Sequence, residues 1–221
     1  MEILVDQEPA SKTANPLVKE RSRGPERLEA FSDGVFAIAI TLLVLEIRVP
    51  STEELATPAA LAKALADLWP SYFGYGLSFV TVGIMWANHH NLFGYIAKVD
   101  HGLLLANILL LVFVGFVPFP TALLAATLGG PGAQIGVLMY SATFVAIAIG
   151  FNVLWYQARR GGRLLRVDAD PAAVAAITRS YRLGPPGFAG AFVLALFNPV
   201  LGMAVIVGLV LLFLLPSSSG A

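Results

Sequence analysis

Six apolar runs dominate this sequence and restrict the folds that it can adopt. They cover residues 27–48, 69–92, 102–124, 133–157, 184–197 and 199–215. A helix needs about 20 mostly apolar residues to cross the hydrocarbon of a bilayer, and the first four runs reach that length. Only 13% of the residues are charged and the mean hydropathy is +0.76, whereas a soluble domain carries roughly 25% charged residues. The chain is therefore predicted to be an all-α membrane protein.

The last two runs are short, and Asn198-Pro199 stands between them. Proline disfavours continuation of a helix, both at its own position and at the residue before it. The two runs form either one kinked re-entrant unit or two spans, and the prediction made here is two spans. Residues 26–216 then form a six-helix transmembrane domain, with a flexible cytosolic tail over residues 1–25 and a short C-terminal tail over residues 217–221.

Lysine and arginine fall almost entirely on one side of this topology. If the N-terminus is cytosolic, the outer loops hold only Arg48 and Lys63, and all the other basic residues lie inside. Short cytoplasmic loops carry such an excess, so both termini are predicted to be cytosolic. The largest inner loop, residues 158–183, contains a predicted helix start at Asp170-Pro171, and the first outer loop contains a short amphipathic helix that starts near Pro58.

Polar residues gather at the cytosolic ends of the first three spans. These residues are Arg27, Ser32 and Asp33 on the first span, Trp86, Asn88, His89 and His90 on the second, and Asn107 on the third. Polar side chains inside a membrane are costly and usually face partners instead of lipid. The favoured interpretation is a network of hydrogen bonds and ion pairs that holds the first three spans together.

Two other interpretations of these polar residues receive less support. A metal site built from Asp33, His89 and His90 is disfavoured because adjacent helical residues point about 100° apart. No HxxxH or HExxH spacing supplies a better pair of ligands. A proton or substrate relay would need further acids or histidines towards the outer side, and the cores of the last three spans contain none. The absence of cysteine excludes thiolate ligands and disulfides, and the net charge of zero argues against nucleic acid as a partner.

The apolar face of the first span forms a separate feature. At 100° per residue, Ile38, Thr41, Leu42 and Leu45 fall within about 100° of one another, and Asp33 lies about 140° from Ile38. The acid is thus predicted to point into the helix bundle, while this stripe points elsewhere. The stripe meets either lipid or a neighbouring helix, or it forms a hydrophobic pore constriction that gates by dewetting.

Three motifs carry a resemblance to a known family. They are Arg27-x-x-x-Phe31-Ser32-Asp33 followed by GVFAIAITLLVLEI, Trp86-Ala-Asn-His-His90, and Pro118-Phe-Pro-Thr121. Together they resemble the lysosomal and endosomal potassium channel family and its RxxxFSD signature, over residues 25–215. The resemblance implies a homotetramer of six-span subunits, in which the first span of each subunit lines a central pore.

The resemblance also implies roles for individual residues. Ile38 matches a narrow hydrophobic ring, Leu42 and Leu45 match further apolar layers, and Thr41 matches a hydroxyl layer implicated in selectivity. The motif network that holds the pore helix would contain Arg27, Phe31, Ser32, Asp33, Trp86, His90 and Asn107.

The expected function is passive, leak-like conduction of potassium, with moderate preference over sodium, in the plasma membrane of a bacterium. The expected partners are other copies of the chain, membrane lipids and monovalent cations, with no cofactor and no enzymatic activity. The alternative is a proton-coupled secondary transporter that uses Asp33 and His90.

Overall fold

The computed structural model describes residues 24–214, which form eight α-helices and contain no strand beyond one isolated bridge. The helices are α1 Glu26–Leu42, α2 Pro58–Asp67, α3 Trp69–Phe93, α4 His101–Phe116, α5 Pro118–Thr127, α6 Ala133–Arg159, α7 Pro171–Phe197 and α8 Pro199–Leu214. Short 3-10 segments, Leu43–Glu46 and Arg160–Gly162, extend α1 and α6. The predicted all-helical class is confirmed, and the two predicted tails lie almost entirely outside the described residues.

Three helical segments within residues 24–214 are long and apolar enough to cross a membrane. They are Glu26–Glu46, His101–Thr127 and Ala133–Gly162. The helix α3 has 25 residues but a more polar composition, and α8 is apolar but has only 16 residues, or about 24 Å of length. The chain is thus a multi-pass helical protein, while the total of six crossings stays a prediction.

The predicted helix starts in the two largest loops are confirmed. Thr57 accepts a hydrogen bond from the Ala60 amide at the start of α2, and Asp170 accepts one from the Ala172 amide at the start of α7. In both places a side-chain oxygen precedes a proline at the first helical position, where the missing proline N–H costs no hydrogen bond. The run predicted at 184–197 is therefore the second half of a longer helix.

The helix α7 continues through Pro185 and Pro186, and α6 supplies a substitute for the hydrogen bond that Pro185 removes. Pro185 has no N–H to donate to the Tyr181 carbonyl one turn earlier. The Asn152 side chain on α6 reaches across, and its Nδ2 donates to Tyr181 O at 2.8 Å. The same amide donates to Ala148 O at 2.8 Å. A carbonyl that proline leaves without its helical donor is thus satisfied inside the bundle.

The helices α6, α7 and α8 form an antiparallel layer. Trp155 Nε1 on α6 donates to Thr178 Oγ1 on α7 at 2.9 Å, and Gln134 Nε2 at the other end of α6 donates to Leu196 O at 2.6 Å. The chain then turns at Asn198, whose backbone is extended and whose Oδ1 accepts from the Val200 amide at 2.8 Å. The predicted break at Asn198-Pro199 therefore joins two antiparallel helices.

Gly202 lies where α8 passes closest to α7. A Cβ added at this position would lie 2.6 Å from Ala195 Cβ and 2.9 Å from Ala191 O. We expect Gly202→Ala to destabilise the protein by about 1–3 kcal/mol, since overpacking a close helix contact has a cost of that size. Gly208→Ala is the matched control, because a Cβ at Gly208 meets nothing within 4 Å. Thermal melting in detergent checks this prediction, and equal midpoints for the two variants would contradict it.

The helix α1 lies at one edge of the bundle, where it packs against α3 and α4. Its buried side chains are Ser32, Phe36, Ala39 and, just beyond its end, Leu43, all at most 2% exposed. Their spacing of three and four residues places them on one face of the helix. The opposite face of α1 is left without a packing partner among residues 24–214.

Candidate functional site

The face of α1 that points away from the bundle carries the stripe Ile38, Thr41, Leu42 and Leu45. The exposed fractions are 60% for Ile38, 40% for Leu42 and 73% for Leu45, and Thr41 is also exposed. Exposed apolar side chains that are grouped on one helix face mark a surface meant for another apolar partner. The structure therefore brings these four predicted residues together, on the outside of a single subunit.

Thr41 is the polar member of the stripe, and its hydroxyl has a fixed direction. Thr41 Oγ1 donates its proton to Ile38 O at 2.9 Å, one turn earlier. A hydroxyl that donates to its own helix keeps its lone pairs for outside partners. The Thr41 oxygen thus faces outward as an acceptor, which suits a cation and not an anion.

The stripe extends towards the start of α1 through Phe31 and Arg27. These residues lie seven and eleven positions before Ile38 in the sequence, which places them on nearly the same side of a helix. Phe31 is 59% exposed. Arg27 makes no side-chain hydrogen bond or ion pair with another described residue. The described hydrogen bonds therefore do not join these two residues to the other members of the predicted motif network.

The buried face of α1 is fixed by a chain of hydrogen bonds, which we call the Ser32–Asn107–His89 network. Asn107 Nδ2 on α4 donates to Ser32 Oγ at 2.9 Å, and Ser32 Oγ in turn donates to Leu28 O at 2.8 Å. His89 Nε2 on α3 lies 2.9 Å from Asn107 Oδ1. Since an amide oxygen only accepts, His89 carries its proton on Nε2. Ser32, His89 and Asn107 are each 0% exposed, so three helices share one buried polar contact.

Aromatic rings enclose the buried histidine. The His89 ring stacks on Phe93 at a centroid distance of 4.4 Å and lies 5.4 Å from Phe36 on α1. Its Nδ1 has no hydrogen-bond partner within residues 24–214. Its position is therefore defined by ring packing on two sides and by one hydrogen bond.

A second, more exposed set of contacts joins α1 to α3. Trp86 Nε1 donates to Asp33 Oδ1 at 2.9 Å. His90 stacks on Trp86 at 6.0 Å, and its Nδ1 lies 2.9 Å from Glu29 Oε1. Asp33 therefore faces α3, away from the stripe. No three His, Asp or Glu side chains between residues 24 and 214 are grouped closely enough to hold a metal ion.

Sequence reasoning placed both His89 and His90 in a polar network between the first three spans, assigned only His90 to the motif network, and did not select Glu29. The signal that finds His89 is the phase of α3, whose buried positions include Val82, Met85, His89 and Leu92. These lie three or four residues apart, so they share one face. His90 falls about 100° away, on the side that meets the first turn of α1. The sequence offers no comparable signal for Glu29.

We expect Asp33→Ala to weaken the contact between α1 and α3 without changing ion selectivity. The variant loses a hydrogen bond to a charged acceptor, and the cost is about 1–2 kcal/mol at this partly exposed site. Asp33→Asn is the matched control because it keeps an oxygen for Trp86. The checks are the fraction of assembled protein in detergent and the reversal potential. Normal assembly of Asp33→Ala with altered selectivity alone would contradict this assignment.

The loop that follows α1 contains an ion pair. Arg48 donates to both carboxylate oxygens of Glu54, at 2.8 and 2.9 Å, and the Ser51 amide donates to the same carboxylate at 2.7 Å. These donors lower the pKa of Glu54 to about 2. A lowered pKa in the folded state means that the contact stabilises the loop above the ordinary pKa and is lost as pH falls through about 2. Glu54 therefore stays ionised and able to pair with Arg48 throughout the physiological pH range.

Comparison with known proteins places the site in context. Residues 27–118 match the family model described as endosomal/lysosomal potassium channel TMEM175. A potassium channel of Chamaesiphon minutus is 48% identical over 193 residues, which cover 87% of this chain and 95% of that protein. A potassium channel of Streptomyces collinus is 46% identical over 163 residues, which cover 73% of this chain and 78% of that protein.

A solved structure shows the same fold. The crystal structure of a lysosomal potassium-selective channel TMEM175 homolog from Chamaesiphon minutus superimposes with a TM-score of 0.78 and 46% sequence identity. The match covers 85% of this chain and 95% of that one. The region that matches the family model, residues 27–118, contains both the stripe and the Ser32–Asn107–His89 network.

Proposed function

Since the chain belongs to the endosomal/lysosomal potassium channel TMEM175 family, we propose that it conducts potassium passively across a bacterial cell membrane, through a pore lined by α1. The bacterial relatives that it matches over most of their length are named potassium channels. The observation that carries the pore is the stripe. It is exposed on a helix whose opposite face is fixed by buried hydrogen bonds to α3 and α4.

The proposed assembly is a homotetramer with four copies of α1 around a central axis. Residues 24–214 of one subunit leave the stripe uncovered at the edge of the bundle, where neighbouring copies can meet around an axis. Closed rotational symmetry is the usual form of such an assembly and places the same residue of each subunit in one ring. Four Ile38 side chains then form the narrowest ring, with further rings of Leu42 and Leu45.

The rings account for conduction without a carbonyl filter. An apolar ring blocks ions when it is dry and passes them when it is wet, so its width and polarity set the barrier. Potassium gives up hydration water more easily than sodium, and partial dehydration at Ile38 therefore favours potassium. Thr41 follows three residues later, about 4.5 Å along the helix axis, and its outward lone pairs replace some of the lost water. Moderate selectivity results, because four hydroxyls do not form a complete coordination cage.

The proposed orientation of the subunit in the membrane rests on which end of the helix bundle carries the basic loops. The loop after α3 and the loop after α6 pair through Ile96 and Leu165, and the Ala97 amide donates to Leu164 O at 2.8 Å. The first turn of α1 lies at the same end, as the contact between Glu29 and His90 requires. Because arginine is concentrated there, this end is assigned to the cytosol, and both termini with it.

The deciding experiment is the reversal potential of purified protein in planar bilayers with opposing potassium and sodium gradients. We expect a passive current whose reversal potential lies towards the potassium equilibrium potential. The transporter alternative receives less support, because Asp33 and His90 contact different partners, Trp86 and Glu29. A current that requires a proton gradient, or the absence of any current from assembled protein, would overturn the channel proposal.

The hydroxyl layer has its own test. Thr41→Ala removes the outward oxygen, and we expect the potassium-to-sodium permeability ratio to fall about fivefold, which corresponds to about 1 kcal/mol. Thr41→Ser keeps the hydroxyl and serves as the control. The ratio is measured from reversal potentials under bi-ionic conditions. An unchanged ratio in Thr41→Ala would remove the hydroxyl layer from the selectivity mechanism.

A further inference from the structure

A cleft of about 840 Å³ lies between the end of α6, the loop that follows it and the first half of α7. Four arginines line it, namely Arg159, Arg166, Arg179 and Arg182, and no acidic residue is among the described residues that line it. The remaining lining is mostly apolar and includes Leu165, Val167 and Val174. The cleft thus combines concentrated positive charge with apolar walls.

One face of α7 forms one wall of this cleft. The α7 residues that line it are Pro171, Val174, Ala175, Thr178, Arg179 and Arg182, spaced so that they share one side of the helix. Thr178 also accepts the hydrogen bond from Trp155, which fixes this wall to α6. The opposite wall is fixed as well, because the Arg166 amide donates to Tyr95 O at 2.9 Å. The cleft is therefore already formed in the free subunit.

Two acids lie near the cleft without lining it, and only one of them pairs with a cleft arginine. Asp170 accepts a hydrogen bond from the Ala172 amide at the start of α7. Asp168 lies 3.6 Å from Arg166, and both side chains are more than half exposed. A surface pair of this kind contributes little and exchanges readily with water or another anion. Arg159, Arg179 and Arg182 form no ion pair with a described residue.

Arg159 gives an independent sign that the cleft is suited to an anion. Its Nε is shielded from solvent, yet it has no hydrogen-bond acceptor within residues 24–214. A buried donor without an acceptor is costly, and native structures leave few of them. The guanidinium group binds phosphate oxygens with two parallel N–H donors, which makes arginine the preferred residue for that group.

The position of the cleft along the helices suggests where the anion comes from. Arg159 stands near the end of the apolar segment Ala133–Gly162, and Arg182 stands immediately before the apolar half of α7. In the proposed orientation, this level is the cytosolic membrane surface, where lipid phosphates lie. Basic pockets between helices on this side of a membrane bind anionic headgroups.

We propose that this cleft binds a phosphate group, carried by either an anionic phospholipid or a soluble phosphate compound. Arg179 and Arg182 hold the phosphate oxygens from α7, and Arg159 adds a third positive charge from α6. The apolar side chains of Leu165 and Val174 suit the glycerol and upper acyl groups of a lipid. The binding involves no pore residue, so it can be measured whether or not the channel conducts.

The test compares two double variants that each remove two positive charges from the same part of the chain. Arg179→Gln/Arg182→Gln changes the cleft, whereas Arg160→Gln/Arg163→Gln changes two exposed arginines that do not line it. The full-length protein in detergent is titrated with dioleoyl phosphatidylglycerol, with dioleoyl phosphatidylcholine and, in a separate arm, with inorganic pyrophosphate. Retained lipid is counted by native mass spectrometry, and pyrophosphate binding is measured by calorimetry.

We expect phosphatidylglycerol to be retained in preference to phosphatidylcholine, and Arg179→Gln/Arg182→Gln to weaken its binding at least tenfold. The control pair should bind like the original protein. Binding of pyrophosphate that is lost in the same variant supports the phosphate site and assigns it to a soluble ligand. Equal losses in both double variants would overturn the proposal in favour of general surface charge, and so would the absence of binding in both arms. Size-exclusion profiles confirm that both variants are folded.

Discussion

Replacement of Ile38 by asparagine is expected to raise potassium conductance and to reduce the preference for potassium over sodium. In the proposed tetramer the change introduces four amide groups into the narrowest ring. Amide oxygens and N–H groups bind water, whereas a ring of four isoleucine side chains excludes it, so the constriction stays wet. If wetting removes about 1.4 kcal/mol from the barrier, conductance rises about tenfold. The barrier for sodium falls further than the barrier for potassium, because sodium costs more to dehydrate.

A matched control exists on α4. Val112 is 61% exposed, compared with 60% for Ile38, and both side chains are β-branched and apolar. Val112 and Ile38 also lie at a similar depth. Asn107 on α4 contacts Ser32 on α1; Val112 follows Asn107 by five positions, and Ile38 follows Ser32 by six. Val112→Asn should leave single-channel conductance and reversal potential unchanged. Unchanged currents in assembled Ile38→Asn, or the same change in both variants, would remove Ile38 from the pore.

The two faces of α1 could be predicted from the sequence because the helical repeat alone determines which residues share a face. Positions that recur every three or four residues share one side of a helix, so Ile38 and Leu45 had to be separated from Asp33. The structure shows Ile38 and Leu45 exposed and Asp33 bonded to Trp86 on α3. The tendency of polar residues to meet near one end of α1, α3 and α4 also follows from topology. Neither argument identifies the partner of the exposed face of α1.

The different positions of His89 and His90 show what the sequence leaves open. The two residues are adjacent, and their directions differ by about 100°. Which one enters the bundle depends on how α3 is rotated against α1 and α4, and packing sets that rotation. The structure buries His89 beside Asn107 and leaves the His90 side chain 62% exposed beside Glu29. The motif Trp86-Ala-Asn-His-His90 identifies this turn of α3, and it does not determine which of the two histidines enters the bundle.

The continuity of α7 could not be predicted for a different reason. Two consecutive prolines usually end a helix, since each removes a donor and crowds the preceding turn. Here Asn152, which lies 33 residues before Pro185 in the sequence, donates to the Tyr181 carbonyl that Pro185 leaves free. The compensation comes from another helix, so no local signal reports it.

Replacement of Asn107 by leucine is expected to have the largest effect on stability. Asn107 accepts from His89 and donates to Ser32, so leucine removes both hydrogen bonds while keeping the branched shape and the number of side-chain heavy atoms. His89 would then be fully buried with neither ring nitrogen bonded, since its Nδ1 has no partner within residues 24–214. The cost of such buried, unsatisfied groups is about 1–3 kcal/mol each. We expect a lower melting midpoint in detergent and a smaller fraction of assembled protein.

The compensated variant Ser32→Ala/His89→Phe/Asn107→Leu separates the physical causes. It removes all three polar side chains together, and an apolar replacement of similar shape leaves no donor or acceptor unsatisfied. Phenylalanine fits the position of His89, which already packs between the rings of Phe93 and Phe36. We expect the melting midpoint to recover most of its loss. If the compensated variant stays as unstable as Asn107→Leu, unsatisfied polarity is not the cause. If stability recovers but potassium flux does not, the polar contact fixes the rotation of α1, and with it the direction in which the stripe faces.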